Sequence, residues 1–206
     1  MNEFIDYKTA SMIMGLNVIG PKELDSIEQI KFSINNFNPK IPFSEDILKH
    51  KKEDYILVMG VSKFTDGRPV TIRNLQVIFG KNPDEMEPCF YNQDWYNNET
   101  FIDKPMENKW FFIRKKVYEE SRAVQPQILL KNHSFPTAIC CTYAFFTAWL
   151  TLGIRLWYHD FVWCSDTDHN GDRIYVGKYH DVDGINKNGF SIHRHLELRK
   201  CYACID

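Results

Sequence analysis

Residues 134–154 carry no charged side chain and are rich in alanine, phenylalanine, tryptophan and leucine. A run of that length can cross a bilayer as a helix, so its surroundings decide what the rest of the chain can become. Thr137, Thr142, Tyr143, Thr147 and Thr151 are spread through it, and patterned, charged sequence continues on both sides. A helix that is hydrophobic all round also suits the centre of a large soluble core. The reading is therefore a buried helix over about 136–152, with no membrane partner. A chain of 206 residues supports one such core, which gives a single domain, 1–206.

The first third reads as helical. Pro21 after Gly20 suits a first helical position, and Leu24, Ile27, Ile30 and Ile34 follow at near-helical spacing. Ser44 can cap a short helix carrying Ile47 and Leu48, and Thr71 another carrying Ile72, Leu75 and Ile78 or Phe79, with a strand as the alternative there. Between them, residues 55–61 form an apolar run without helical period, the pattern of a buried strand, and Asp66-Gly67 supplies a turn. Residues 81–108 are polar with scattered aromatics and read as a long ordered loop or short pieces of structure. Residues 110–117 alternate as a strand with one wetted face.

In the last fifty residues, strand-like runs are separated by Asn170-Gly171, Asp183-Gly184 and Asn188-Gly189. A hairpin of 160–166 against 172–179 and a final strand over 190–199 follow from this. The fold class is α+β: a helical N-terminal part and one long buried helix packed on a mainly antiparallel sheet with C-terminal β-hairpins.

A net charge of −2 with only short basic clusters at 49–52 and 114–116 gives no nucleic-acid signature. The acidic start of the chain does not resemble a secretory signal, and Cys140-Cys141 inside the apolar run suits a reducing compartment, so the expected location is cytoplasmic.

Four constellations could carry chemistry. Asp166, Asp168, Asn170 and Asp172 offer oxygens at alternate positions before a glycine turn, as for a divalent metal, although Gly177 stands where an EF-hand needs its bidentate glutamate. The same residues would also serve as a solvated hairpin tip. His193 and His195 share one face of a strand with Ser191, Glu197 and Arg199, a pattern open to a transition metal or to plain solvation. Cys201 and Cys204 form a C-x-x-C pair that supplies two zinc ligands and needs more. Finally, the C-terminal third gathers His159, His169, His180, Asp160, Asp181 and Asp183 around these, but no nucleophile elbow or phosphate loop assigns a reaction class.

At residues 95–101, beginning Trp95-Tyr96-Asn97, at 110–114 and at Asp172-Arg173-Ile174-Tyr175-Val176-Gly177, the chain resembles a set of uncharacterised bacterial proteins. That resemblance implies no activity. The closing order of strand, Asn-Gly turn, strand, loop and Gly189-Phe190-Ser191-Ile192 is similar to C-type-lectin-like domains, without their tryptophan-rich loop.

The expected function is recognition of an unknown protein, peptide or sugar ligand by the C-terminal hairpin loops and the aromatic loop, through Trp95, Tyr96, Asp166, Asp168, Asn170, His193 and His195. A metal-assisted hydrolase using Asp166, Asp168, His193 and His195, and a structural oligomer that hides residues 134–154 between subunits, are the alternatives.

Overall fold

A computed structural model describes residues 4–34, 40–180, 188–195 and 197–206. The helices are α1 (Tyr7–Met14), α2 (Pro21–Asp25), α3 (Glu45–Lys51), α4 (Ile72–Phe79), α5 (Pro126–Leu129) and α6 (Ala138–Leu152). The strands are β1 (Val18–Ile19), β2 (Tyr55–Met59), β3 (Trp110–Arg114), β4 (Phe161–Thr167), β5 (Arg173–Gly177), β6 (Ser191–Arg194) and β7 (Tyr202–Ala203). They form two sheets, ordered β1-β2-β3 and β6-β5-β4-β7. The α+β architecture is as the sequence led us to expect.

The apolar run becomes α6, 15 residues long, and among the described residues no helix is long and apolar enough to cross a membrane. Its hydroxyls explain how it tolerates burial. Thr142, Thr147 and Thr151 donate back to the carbonyls of Ala138, Tyr143 and Thr147 at 2.7–2.8 Å, and Tyr143 donates to the Met59 carbonyl at 2.9 Å. Each buried donor is thus satisfied without solvent. Thr137 caps the first turn through the Cys140 N–H, and Gly153 closes the last in a left-handed conformation.

β2 is buried at all five positions because it is the central strand, parallel to β1 and antiparallel to β3. Ser44 and Thr71 cap α3 and α4 as expected, accepting from the Ile47 and Asn74 N–H groups. The helix expected across Leu24, Ile27, Ile30 and Ile34 instead ends at Asp25. The Ser26 hydroxyl bonds back to the Glu23 carbonyl at 2.6 Å and competes with helix continuation. Ile27 and Ile30 reach the core from irregular chain.

The C-terminal hairpin is β4 against β5, and β6 adds antiparallel to β5. The final strand ends at Arg194, short of the expected 199. Leu196 and the Asp183-Gly184 turn, with Asp181, lie outside the described residues. β7 pairs parallel with β4, Phe161 opposite Tyr202, a strand the sequence reading lacked.

This sheet is covered on both sides. Val162, Cys164, Ile174, Val176, Ile192 and Ala203 join the main core with α6, a core that runs from Ile5 to Ile205. On the other side Phe161, Trp163, Tyr175 and Tyr202 form a second aromatic layer, roofed by Tyr118, Val124, Leu129 and Phe135.

Candidate functional site

The carboxylates and imidazoles of the candidate sites can now be placed, Asp181 and Asp183 excepted because they lie outside the described residues. Both carboxylate oxygens of Asp166 have protein donors. One of its oxygens takes Lys104 Nζ at 2.6 Å and the other accepts the Ala138 N–H at 2.7 Å, so this buried carboxylate holds the N-terminus of α6. Asp168 folds its own turn: Oδ1 accepts the N–H groups of Asn170 and Asp172, both at 2.9 Å, and Oδ2 takes Arg194 at 3.2 Å. Burial works to raise its carboxyl, and the Asp172 N–H, Arg194 and the Asn170 N–H outweigh that, keeping it below the usual aspartate range. Asn170 is exposed at the turn. The quartet Asp166, Asp168, Asn170 and Asp172 is thus split between a helix terminus and a turn, and does not converge.

His193 and His195 lie on the aromatic side of the sheet, which corrects the expectation of a wetted face. His193 stacks on Tyr175 at 5.6 Å and meets the edge of Phe161, with Nε2 3.1 Å from Gln93. His195 meets Trp163 edge-on at 5.1 Å, and its Nδ1 is buried without a partner among the described residues. Alternation along β6 places Arg194 on the side of Asp168 and His193 on the opposite one. The four residues of the expected hydrolase site therefore do not surround one point.

Burial, reinforced by Arg199 and Lys178, pushes the His193 imidazole down to about 4. The unfolded chain takes up that proton near its ordinary value of about 6.5, so stability from the neutral ring is complete above that pH and is lost as pH falls toward 4. At about 1.4 kcal/mol per pH unit, up to about 3 kcal/mol is at stake. Urea unfolding of wild type and His193→Phe between pH 7 and 4 should show the gap between them shift by that order, and parallel profiles would refute it.

Tyr96 is also unavailable to a ligand, being fully buried with its hydroxyl accepting from Gln76 Nε2 at 2.7 Å. Trp95 is half-buried; its indole N–H donates to the Ile192 carbonyl at 2.9 Å and its ring lies 5.5 Å from the Arg194 guanidinium. The aromatic loop is a packing element. All six cysteines are free thiols, and Cys204 and Cys201 both pack on the second aromatic layer, Cys204 buried within it and Cys201 partly buried against it.

Two arrangements escaped the sequence reading. In the first, Glu99 comes from 70 positions away to meet His169, accepting its backbone N–H at 3.0 Å and approaching its Nδ1 at 2.6 Å. Ligand atoms of Glu99, Asp168 and His169 all lie within 4.8 Å of one another. Both carboxylates already have donors, however, including the Arg194 cation on Asp168.

The second is a cleft of about 240 Å3 between segments 115–119 and 155–160. Its two carboxylates, Glu119 and Asp160, are both gripped by one guanidinium, that of Arg122, with closest contacts of 2.6 Å to each. Arg122 lies outside the lining. The Arg122 hydrogen bond holds the Glu119 carboxyl below the usual glutamate range. Three cations in the lining have no carboxylate partner among the described residues. Lys115 reaches only the Asn17 side chain at 3.3 Å, Arg155 lies over the rings of Trp149 and Tyr158, and Lys116 is exposed.

The backbone around this cleft is strained. The three non-glycine residues with positive φ among the described residues are Ala123, Trp157 and Lys178, at 56°, 46° and 38°. Trp157 lines the cleft and Ala123 follows Arg122. Lys178 donates its N–H to the carbonyls of Trp157 and Asp160 at 3.1 and 2.7 Å. Such conformations cost about 1–3 kcal/mol each and cluster at functional sites.

No protein-family model, curated protein or solved structure matches this chain.

Proposed function

We propose that the protein is a binding protein whose ligand enters the cleft between segments 115–119 and 155–160. The observation that carries this reading is the cleft's charge: Glu119 and Asp160 share the single Arg122 guanidinium, while Lys115, Lys116 and Arg155 have no carboxylate partner among the described residues, so four cations against two carboxylates leave an excess of two positive charges. Unneutralised charge over a concave, partly aromatic wall is what a specific polar ligand requires. At the hairpin tip and aromatic loop, by contrast, Asp166, Asp168, Tyr96 and Trp95 use their polar groups in internal hydrogen bonds. A role in recognition is also what the proposed likeness to C-type-lectin-like domains suggests, though with the ligand in a different place.

A metal-dependent hydrolase is the second reading, favoured by the convergence of Glu99, Asp168 and His169. It requires Arg194 to leave Asp168 so that an ion can activate water.

One experiment separates the two. Amide chemical shifts of 15N-labelled, chelator-stripped protein are followed during a screen of neutral, cationic and anionic fragments, and separately during addition of zinc. The binding reading expects fragment-induced shifts confined to 115–119 and 155–160. Shifts only around 95–104 would sink it. Stoichiometric zinc-induced shifts at Glu99 and His169 would support the hydrolase, and their absence at millimolar zinc would remove it.

A further inference from the structure

Resting on the binding reading, we infer that the cleft takes the dianionic phosphate monoester group of a small molecule. The argument begins with charge. A monoester phosphate carries close to two negative charges near neutral pH, and three lining cations, Lys115, Lys116 and Arg155, have no carboxylate to balance them among the described residues. A carboxylate brings one charge and would leave this cluster underneutralised. Arg155 is stacked against Trp149 and Tyr158, its ring-to-guanidinium distances 4.8 and 5.2 Å, which orders the side chain while leaving its donors unused. An ordered guanidinium is suited to a multi-oxygen anion.

The backbone supplies the second observation. Trp157, Tyr158 and His159 all line the cleft on a tight turn over 156–159, and the Trp157 N–H donates to no acceptor among the described residues. Trp157 has positive φ and its neighbours do not. Successive residues of opposite φ sign turn consecutive N–H groups toward one concavity, an arrangement that binds anions. The strain at Trp157 is thereby given a use, because a bound phosphate would accept from the donor that this conformation leaves open.

Size sets the third limit. A space of about 240 Å3 accommodates a phosphate with a small organic group and is too small for an extended polymer. The ligand is accordingly a small phosphorylated molecule.

The test uses phenyl phosphate as probe, with benzoate as the singly charged control, benzyl alcohol as the neutral one and a phosphoserine peptide as the polymeric one. Affinities come from calorimetry and the site from amide shifts, at low and at moderate salt. Phenyl phosphate should bind at least about tenfold tighter than benzoate, be displaced by inorganic phosphate, and weaken with salt. Lys116→Glu and Arg155→Glu, both at exposed positions, should each lower its affinity about tenfold or more.

Equal binding of phenyl phosphate and benzoate, or binding unaffected by both variants, overturns the inference, as does tighter binding of the phosphopeptide than of phenyl phosphate. Should neutral or cationic fragments shift the cleft amides while phenyl phosphate does not, the phosphate assignment fails and the binding reading survives. If nothing shifts them, both fail.

Discussion

Asp166→Ala should lower the unfolding free energy by about 3 kcal/mol, the largest loss expected from any polar side chain described above. The carboxylate is buried, with its side chain 2% exposed, and serves two partners from different elements. Removing it strands the Ala138 N–H at the first position of α6, inside the core, and withdraws a negative charge from the positive end of a helix. Lys104 suffers less, because its side chain is 55% exposed and can return to water; for that reason the estimate lies at the lower end of the range for broken buried pairs. Asp166→Asn keeps one acceptor for the Ala138 N–H and should recover about half. Urea midpoints with unchanged slopes would report this. A loss under about 1 kcal/mol for the alanine variant would show that the helix end finds another partner.

Gly177→Ala is the second large effect, at about 3 kcal/mol, or a fall in Tm of roughly 10 °C for a chain of this size. Gly177 has φ of +125°, and a Cβ built there meets the Asp160 carbonyl oxygen at 2.5 Å. Backbone, unlike a flexible side-chain tip, cannot step aside. The control is Gly153→Ala at the end of α6, where φ is +67° but nothing lies within 4 Å of the added carbon. That variant carries only the left-handed cost of about 1 kcal/mol. Calorimetric melting of both should separate strain from collision, and equal Tm changes would contradict the steric account. Because Gly177 abuts Asp160 and precedes Lys178, its substitution should also disturb the cleft, visible as lost amide-shift responses at 155–160.

Local signals were the legible part of this chain. Caps at Ser44 and Thr71, the uncharged helix, and the Asn170-Gly171 hairpin all depend on residues within a few positions of one another, and all correspond to structure. What the sequence hid was contact at a distance. Glu99 meets His169 across 70 positions, and Arg122 reaches Asp160 across 38. Nothing in either neighbourhood marks those pairings. The misreading of the His193 face has a different origin, since the alternation was right but the cover was not foreseen. Phe161, Trp163 and Tyr175 share the parity of His193 in the paired register, so that side of the sheet is more aromatic than polar. That parity was the available clue. The basic cluster at 114–116 is too short for a nucleic-acid footprint, and only the turn at 155–160 folding against Lys115 and Lys116 makes those two part of a cleft.

The position of β7 governs how this molecule can be made on the ribosome. Its two residues, Tyr202 and Ala203, sit beside β4, whose residues precede them by about forty positions, and the Tyr202 ring packs tilted against that of Tyr175 with ring centres 4.4 Å apart. A nascent chain that has extruded β4 and β5 therefore holds Trp163 and Tyr175 against an unfinished edge until residues 202–203 leave the exit tunnel. Emerging intermediates of that kind expose aromatic surface and an open strand, which is the substrate that holding chaperones recognise.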